Sequence, residues 1–300
     1  MNRLLCIWLP NWPIQRLQFR IGSSTAEGPE IRNVSVAGDG SADDRLAGDY
    51  PKPSGRPSAP EECQLAEGTS LVLWSDDARR GRRVTACCQA SITTGVRLGM
   101  PVSQAAELIR GNGGNARIKR HEPRLDQESL ERLAEQLQQE ISPMVAIERL
   151  DDQVWAGQPR HQCESLLCDI TGVSHLWGGE AGLLQAAESC LSRMNLRGRM
   201  AIADSVGAAW ALSHYADHFS VTSPHTNLER LRPLPVQALR ISNDTAVTLS
   251  RLGVERIDEL LQLPTDGLAT RLGRSLVHRI QQALGQRDEP LDIHRVAPQH

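Results

Sequence analysis

The sequence predicts an α/β sandwich on one mixed sheet, followed by a wholly helical C-terminal part. Short apolar runs ending at turn residues predict buried strands, and amphipathic patterns between them predict helices. After residue 235 the strand-like runs disappear. At 300 residues the chain is long enough for two or three domains, and its hydrophobic fraction of 40% is typical of a soluble globular protein.

The predicted strands are short runs of large apolar residues. Each is closed by proline, glycine or charged residues, and none approaches the roughly 20 residues of a membrane span. They cover residues 4–9, 71–74, 84–88, 166–170 and 200–203. The residues between the second and third strands, 75–81, predict a turn.

The predicted helices show apolar residues three and four positions apart. Ser103 is the expected N-cap of the first helix. The helices cover residues 103–109, 124–141, 180–193 and 206–215, and in the C-terminal part 236–249, 260–263 and 268–284, with a tight turn at 252–257. The change of pattern at the proline-bearing joint 231–235 predicts a domain boundary.

The net charge of −3 is unevenly distributed along the chain. Residues 21–68 carry nine acids against four bases and are rich in Gly, Pro and Ser, which predicts a disordered acidic insertion. Residues 70–120 carry nine bases against three acids. Such alternation is typical either of solvated faces or of one surface that meets a polyanion.

Several other classes of protein are disfavoured. Seven cysteines without paired or zinc-ligand spacing indicate thiols in a reducing cytoplasm. The N-terminus lacks a signal peptide's cleavage site, and neither a secreted nor a membrane protein is expected. No histidine or cysteine lies in a hydrolase motif.

Four stretches together resemble the Y-family (UmuC/DinB-like) DNA polymerase superfamily, and within it the catalytically degenerate ImuB-type proteins. They are residues 5–17, residues 84–101 with their Gly95–Pro101 loop, residues 167–172, and residues 283–291. The resemblance covers nearly all of the chain except 21–68. It implies an α+β fold with a ferredoxin-like palm and inserted fingers (1–20 and 69–230). An all-α helix-hairpin-helix thumb (231–290) and a tail (291–300) follow, so the chain looks C-terminally short, without a little finger.

The resemblance also locates the residues that would bind two Mg²⁺ ions in an active member. Trp8 and Pro10 stand at the first carboxylate motif, and Ser165 replaces a glutamate at the second. Glu164 is the single carboxylate left at these positions. At the positions where active members bind the incoming triphosphate, this chain has other residues. They are Gln89, Ile92, Ser205, Val206 and Trp210. The chain is therefore expected to bind no catalytic metal and not to polymerise DNA.

Positive charge survives in the inferred fingers and is expected to contact DNA backbone without reading sequence. The candidate residues are Arg79, Arg80, Arg82, Arg83 and Arg97. In the C-terminal part, Ser242 and Asn243 at a first hairpin and Gly253 in a second turn are candidate phosphate contacts. The first hairpin lacks glycine, so a generic helical bundle remains an alternative.

The resemblance implies a non-catalytic factor in translesion synthesis and induced mutagenesis. Its implied partners are DNA, a sliding clamp, a RecA-like accessory protein and an error-prone replicative-type polymerase. Two alternatives remain open at this point. One is an active Y-family translesion polymerase that uses Mg²⁺, and the other is a degenerate fragment without function.

Overall fold

The computed structural model describes residues 2–17, 69–216, 220–223 and 225–295. The predicted acidic insertion at 21–68 lies outside the described residues, as does the end of the 291–300 tail. The strands are β1 Leu4–Trp8, β2 Thr69–Asp77, β3 Gly81–Cys87, β4 Asn115–Arg120, β5 Val145–Ile147, β6 Ser165–Asp169, β7 Arg199–Ala203 and β8 Ser220–Val221. The helices are α1 Trp12–Arg16, α2 Gln89–Thr93, α3 Val102–Gly111, α4 Pro123–Glu140, α5 Glu180–Arg193, α6 Val206–Tyr215, α7 Asn227–Leu231, α8 Asn243–Arg251, α9 Ile257–Leu261, α10 Thr265–Leu272 and α11 Arg274–Ala283.

The larger sheet has the strand order β5-β6-β1-β7-β8. β1 is antiparallel to both of its neighbours, with Trp8 opposite Ser165 on β6 and Arg199 on β7. β5 pairs antiparallel with β6, and the short β8 runs parallel to β7. The connection of β1, α4, β5, β6, α5 and β7 is that of a ferredoxin-like fold, which confirms the expected palm.

The two faces of the palm sheet bury different partners. Along β1 all five residues are buried, and side chains alternate between the faces. Leu5 and Ile7 share a core with Leu133 of α4 and Leu191 of α5. The opposite face, which carries Trp8, meets α6 and the C-terminal helices.

The fingers form a second, three-stranded sheet with the order β3-β2-β4. Ile109 of α3 shares an apolar cluster with one face, and Ile14 of α1 packs with Leu71 and Leu73 of the other. The sequence prediction of one mixed sheet was therefore wrong, since β2, β3 and β4 pair only among themselves. The fingers lie between α1 and α4 in the chain, as an insertion into the palm.

The C-terminal helices continue the core on the Trp8 face of the palm. α6 is made of small residues and lies between the palm sheet and α11, so that a Cβ on Gly207 would stand 2.8 Å from the Cα of Ala283. Leu231 and Leu234, at the proline-bearing joint, belong to this same core. The division into palm, fingers and thumb domains stays a prediction. Among the described residues, no helix is long and apolar enough to cross a membrane.

Two helices that were predicted as continuous in the C-terminal part are each divided in the structure, because a residue with positive φ interrupts them. These two predictions were therefore wrong. Residues 236–249 form a 3₁₀ turn, Val236–Leu239, and then α8, because Arg240 adopts φ 57° between them. Residues 268–284 are divided at Gly273, whose φ is 88°. Glycine accepts this conformation at little cost, whereas Arg240 is held there by its ion pair with Glu289.

Other local differences have simple causes. α3 begins directly after Pro101, which fixes its own φ, so the predicted cap residue Ser103 lies inside the first turn. The predicted 75–81 turn is shorter, since β2 extends to Asp77 and β3 starts at Gly81. The strands β4, β5 and β8 were missed because they are short or carry alternating charges.

Candidate functional site

The positions that correspond to the palm metal site lie where β1 and β6 meet at the Trp8 end of the sheet. Trp8 is buried at 8% exposure, and Ser165 directly opposite is completely buried. The backbone N–H of Leu9 donates to the carbonyl of Glu164 at 2.8 Å, which holds the two strand ends together. The carbonyl of Pro10 accepts from the side-chain amide of Gln15 at 2.8 Å. The structure therefore brings Trp8, Glu164 and Ser165 together, with Pro10 two residues beyond Trp8 in the turn to α1.

A stack of three rings fills this face of the palm. The Trp8 and His214 rings lie 4.4 Å apart between centroids with an interplanar angle of 22°. The His214 and Trp210 rings lie 3.8 Å apart at 20°. The imidazole of His214 is further fixed by its Nδ1 contact to the carbonyl of Trp210 at 2.8 Å. Three flat rings therefore occupy the space beside Glu164.

Both carboxylate oxygens of Glu164 accept bonds from neighbouring side chains. Oε1 accepts from Nη2 of Arg160 at 2.6 Å, and Oε2 lies 3.4 Å from the indole Nε1 of Trp8. Arg160 also donates to Asn11 and to the carbonyl of Thr85 on β3, so it ties the palm to the fingers. Glu164 is thus a buried, paired carboxylate.

A second carboxylate, Glu148, faces the same place, although the sequence patterns did not indicate it. It follows β5 directly and is 6% exposed. Its Oε1 accepts from the backbone N–H groups of Glu164 and of Ser165, the latter at 2.9 Å, and its Oε2 accepts from Nε1 of Trp210 at 2.9 Å. Burial raises the pKa of Glu148 to about 7, and the nearby Glu164 carboxylate adds to the rise. An acid directly after a short apolar run, residues 144–147, was the available signal.

Glu148 and Glu164 do not fit the two-metal centre that the resemblance to active Y-family members would imply. Mg²⁺ needs near-octahedral oxygen ligands at about 2.1 Å and usually keeps several waters. Each oxygen of Glu148 and Glu164 instead accepts a bond from within the protein, and the recess beside them has a volume of about 10 Å³, roughly the space of one water. In the described part of the chain, no group of three or more His, Cys, Asp or Glu residues is arranged to hold a metal ion.

The positions that would bind a triphosphate hold other side chains. Gln89 and Ile92 lie exposed on the five-residue α2. Ser205 caps α6 by accepting from the N–H of Ala208 at 3.1 Å, and its hydroxyl donates to the carbonyl of Ala283 at 2.8 Å. Trp210 belongs to the ring stack. None of these positions offers a cation to a phosphate.

The fingers hairpin presents the predicted arginines. The carboxylate of Asp77 accepts from the N–H groups of Arg79 and Arg80 at 2.9 and 2.8 Å, and Gly81 completes the turn at φ 70°. These two backbone bonds lower the pKa of Asp77. Arg82 lies on β3 over the ring of Trp74, 4.7 Å from its centroid. The turn therefore has a fixed shape while the guanidinium groups point outward.

The loop at 95–101 lies beside the same hairpin. The N–H of Val84 donates to the carbonyl of Met100 at 3.0 Å, and Arg83 reaches the carbonyl of Gly99 at 3.4 Å. Arg97 in this loop is exposed and donates to the carbonyls of Ile92 and Val96. The structure thus places the five predicted arginines on one part of the fingers, which we call the fingers arginine surface (Arg79, Arg80, Arg82, Arg83 and Arg97).

The arginines of this surface differ from the buried arginines of the palm and the C-terminal helices. Arg3 pairs with Glu180 and Asp204, and Arg240 pairs with Glu289 through two bonds of 2.6 and 2.7 Å. Among the described residues, no carboxylate forms an ion pair with any of the five arginines of the fingers surface. Asp77 lies within the hairpin and attracts Arg80 and Arg83, but the five arginines outnumber the nearby carboxylates, and this excess of positive charge favours an anionic ligand.

The predicted phosphate contacts of the C-terminal part do not converge. Ser242 caps α8 by accepting from the N–H of Thr245 at 3.2 Å and pairs with Trp155 of the palm, whereas Asn243 beside it is exposed. Gly253 lies beyond the other end of this nine-residue helix, about 13 Å away, in an exposed turn at φ 77°. The turn between α8 and α9 has a helix-hairpin-helix layout. The carboxylate of Glu259 already accepts from the N–H groups of this turn, at Glu255 and Arg256.

Comparison with known proteins agrees with these features. No family model matches the chain. It is 38% identical over 177 residues to "Protein ImuB" of two Caulobacter vibrioides strains, NA1000/CB15N and ATCC 19089/CIP 103742/CB 15, a match that covers 59% of this chain. The chain spans only 36% of the length of these curated relatives.

Solved structures show the same fold at low sequence identity. DinB from Sulfolobus solfataricus matches 75% of this chain and 62% of its own, with 16% identity and a TM-score of 0.55. A Y-family DNA polymerase chimera, Dbh-Dpo4(243-245)-Dbh, matches 97% of this chain and 69% of its own, with 12% identity and a TM-score of 0.57. The chain is therefore similar in sequence to Protein ImuB and has the fold of the Y-family DNA polymerases.

Proposed function

We propose that this chain is a polymerase-shaped, non-catalytic factor of DNA-damage tolerance. It binds the DNA backbone through the fingers arginine surface and acts as an adaptor for an error-prone polymerase. The single observation that carries the proposal is the filled palm site, in which a Trp8–His214–Trp210 stack and two fully bonded carboxylates occupy the place of the metals.

The chemistry of polymerisation supports this reading. Two divalent cations must contact the attacking and the leaving oxygens at the same time, and free carboxylate oxygens hold them there. Freeing Glu164 and Glu148 would take from the buried Arg160 its carboxylate partner and from the indole N–H of Trp210 its acceptor, which costs several kcal/mol. A polymerase with this palm would have to disrupt its own core in each catalytic cycle.

The uncompensated arginines support DNA binding. Each phosphate contact made by an arginine releases about one counterion, so five such contacts predict a steep dependence of affinity on salt. The interaction carries no sequence information because it involves phosphates rather than base edges.

Primer extension separates the proposal from the active-polymerase alternative. The chain, a primer-template and the four dNTPs are incubated with Mg²⁺ or Mn²⁺, and no elongation is expected. Elongation that depends on dNTPs and is lost in Glu164→Ala would overturn the non-catalytic reading, whereas elongation that persists in this variant would indicate a contaminating polymerase.

DNA binding is tested by fluorescence anisotropy on a primer-template between 50 and 200 mM salt. In Arg79→Ala/Arg80→Ala the slope of log K against log salt is expected to become less negative by about 2. The matched control is Arg124→Ala/Arg193→Ala, which removes two exposed palm arginines that pair with glutamates. Equal losses in the two double variants would contradict a fingers-centred site.

The adaptor role is tested by capture on the immobilised chain. The sliding clamp, the RecA-like accessory protein and the error-prone replicative-type polymerase are each applied alone and in the presence of primer-template. Retention of the polymerase supports the adaptor role. Failure of all three to bind, beside intact DNA binding, would leave a DNA-binding fragment without adaptor function.

A further inference from the structure

Within the described residues the outer edge of β4 in the fingers has no backbone partner, unlike the other edges of three or more residues in the two sheets. The β3 edge is covered by the 95–101 loop, through the Val84 and Gly99 backbone bonds of 3.0 and 2.8 Å. The β5 edge is covered by the chain end, where Ile293 bridges Ala146 and the N–H of His294 donates to Val145 at 2.8 Å. In the part of the chain that the structure describes, no backbone hydrogen bond joins β4 to any element on its outer side.

This open edge is long enough to accept another strand. β4 has six residues and spans about 20 Å, and its inner side is fixed along its full length to β2 in parallel register. Alternate residues of such a strand direct both the N–H and the C=O outward. An extended peptide that adds to the sheet satisfies these groups with its own backbone.

The side chains of β4 alternate in chemistry between the two faces. Arg117 and Lys119 lie opposite Leu71 and Leu73 in register and are exposed, without an ion-pair partner among the described residues. Ala116 and Ile118 point to the other face, where they pack with the α3 cluster. A strand laid beside β4 therefore meets cations on one face and an apolar row on the other.

The alternation of basic and apolar side chains on β4 favours one kind of binding partner over others. A second copy of β4 would place arginine and lysine opposite arginine and lysine, which is unfavourable. A nucleic acid would meet the cations, but it has no alternating row of N–H and C=O groups to pair with both kinds of outward backbone group along the edge. A peptide that alternates acidic and apolar residues matches both the backbone row and the two faces.

We propose that the β4 edge is a docking site at which an extended acidic segment of a partner protein adds as a fourth strand of the fingers sheet. The interaction is separate from DNA binding by the fingers arginine surface. It gives the fingers a protein-binding edge beside a DNA-binding hairpin.

The test uses the full chain and a fluorescent eight-residue peptide of alternating glutamate and valine. Anisotropy measures affinity, and hydrogen exchange measures protection of amides 115–120. The peptide is expected to slow exchange of outward-facing amides in 115–120 by about tenfold. Arg117→Glu/Lys119→Glu is expected to weaken binding at least tenfold, because like charges then face each other.

The matched control is Arg79→Glu/Arg80→Glu, with the same charge change away from β4. It is expected to keep peptide affinity within about threefold while losing DNA affinity, so that failure of DNA binding and failure of strand addition are distinguishable. Equal loss of peptide in both variants would reduce the effect to general charge attraction and overturn the proposal. Protection elsewhere than at 115–120, or protection of 115–120 without peptide, would also overturn it.

Discussion

Replacing the buried Glu148 by glutamine should remove a large pH-dependent contribution to stability. Burial, more than the Glu164 charge, raises the pKa of the Glu148 carboxyl from its ordinary value of 4.5 to about 7. The folded chain therefore keeps this proton up to about pH 7, whereas the unfolded chain releases it near pH 4.5. The stabilising effect of the proton is complete below pH 4.5 and is lost as the pH rises through 7.

The magnitude follows from the size of this shift. A rise of about 2.5 pKa units corresponds to about 3 kcal/mol, at 1.36 kcal/mol for each unit. In Glu148→Gln the side chain at this position is neutral at every pH, so the variant lacks this pH-dependent contribution to the free energy of unfolding. It also presents an amide N–H₂ to the donors that now bind the carboxylate, at a pH-independent cost of about 1–3 kcal/mol. The free energy of unfolding of wild type minus that of the variant should thus fall by about 3 kcal/mol between pH 4.5 and 7.5.

Urea unfolding followed by tryptophan fluorescence at four pH values and constant ionic strength measures this difference. Trp210, which donates to Glu148 at 2.9 Å, is one of the six tryptophans that contribute to this signal. Glu128→Gln, at a partly exposed carboxylate of α4, is the control for the same substitution made away from the palm site. Parallel pH profiles for wild type and Glu148→Gln would refute the reasoning, because they would mean that Glu148 titrates alike in folded and unfolded chains.

Three further predictions, with two control variants, test the packing of the palm against the C-terminal helices. Gly207→Ala should destabilise the chain by about 1–3 kcal/mol in urea unfolding, since its Cβ meets backbone of α11. The control is Gly267→Ala, whose added Cβ meets no atom within 4 Å and which should raise the free energy of unfolding by about 0.5–1 kcal/mol. A loss of stability in both variants would contradict a steric clash at Gly207. Arg240→Ala should cost about 3 kcal/mol by breaking the buried pair with Glu289, and Arg240→Gly should cost less because glycine accepts φ 57°. Trp8→Asp should lower stability by about 3–5 kcal/mol and restore no primer extension, and extension by this variant would refute our account of the palm.

Much of the palm follows from local sequence patterns. The predicted helices 180–193 and 206–215 coincide with α5 and α6. α5 was predictable from apolar residues at helical spacing, and α6 from its run of small apolar residues, which is buried on nearly every side. The strand at β1 was equally predictable, since a fully buried central strand is a continuous apolar run. These elements place Trp8 and Ser165 at the palm site.

The features of the fold and of the candidate site that were not predicted depend on contacts between residues distant in sequence. The left-handed conformation of Arg240 is maintained by Glu289, 49 residues later in the chain. The β4 strand depends on pairing with β2, because its alternating basic residues predict a loop as readily as a strand. The role of Glu148 depends on backbone N–H groups 16 and 17 residues away. No local pattern indicates such partners.

The palm and the fingers differ in the charged groups that they expose, and this difference supports the proposed binding function. In the palm, the carboxylate of Glu164 pairs with Arg160, and that of Glu148 accepts from Trp210 and from backbone N–H groups. In the fingers, arginines stand on a rigid hairpin without carboxylate partners in the described chain, and an anion is the ligand that compensates them. Catalysis of phosphoryl transfer needs exposed negative charge for metals, whereas attachment to a phosphate backbone needs exposed positive charge. The described residues place exposed arginines on the fingers and bonded carboxylates in the packed palm, and this distribution supports the proposed role as a scaffold on DNA.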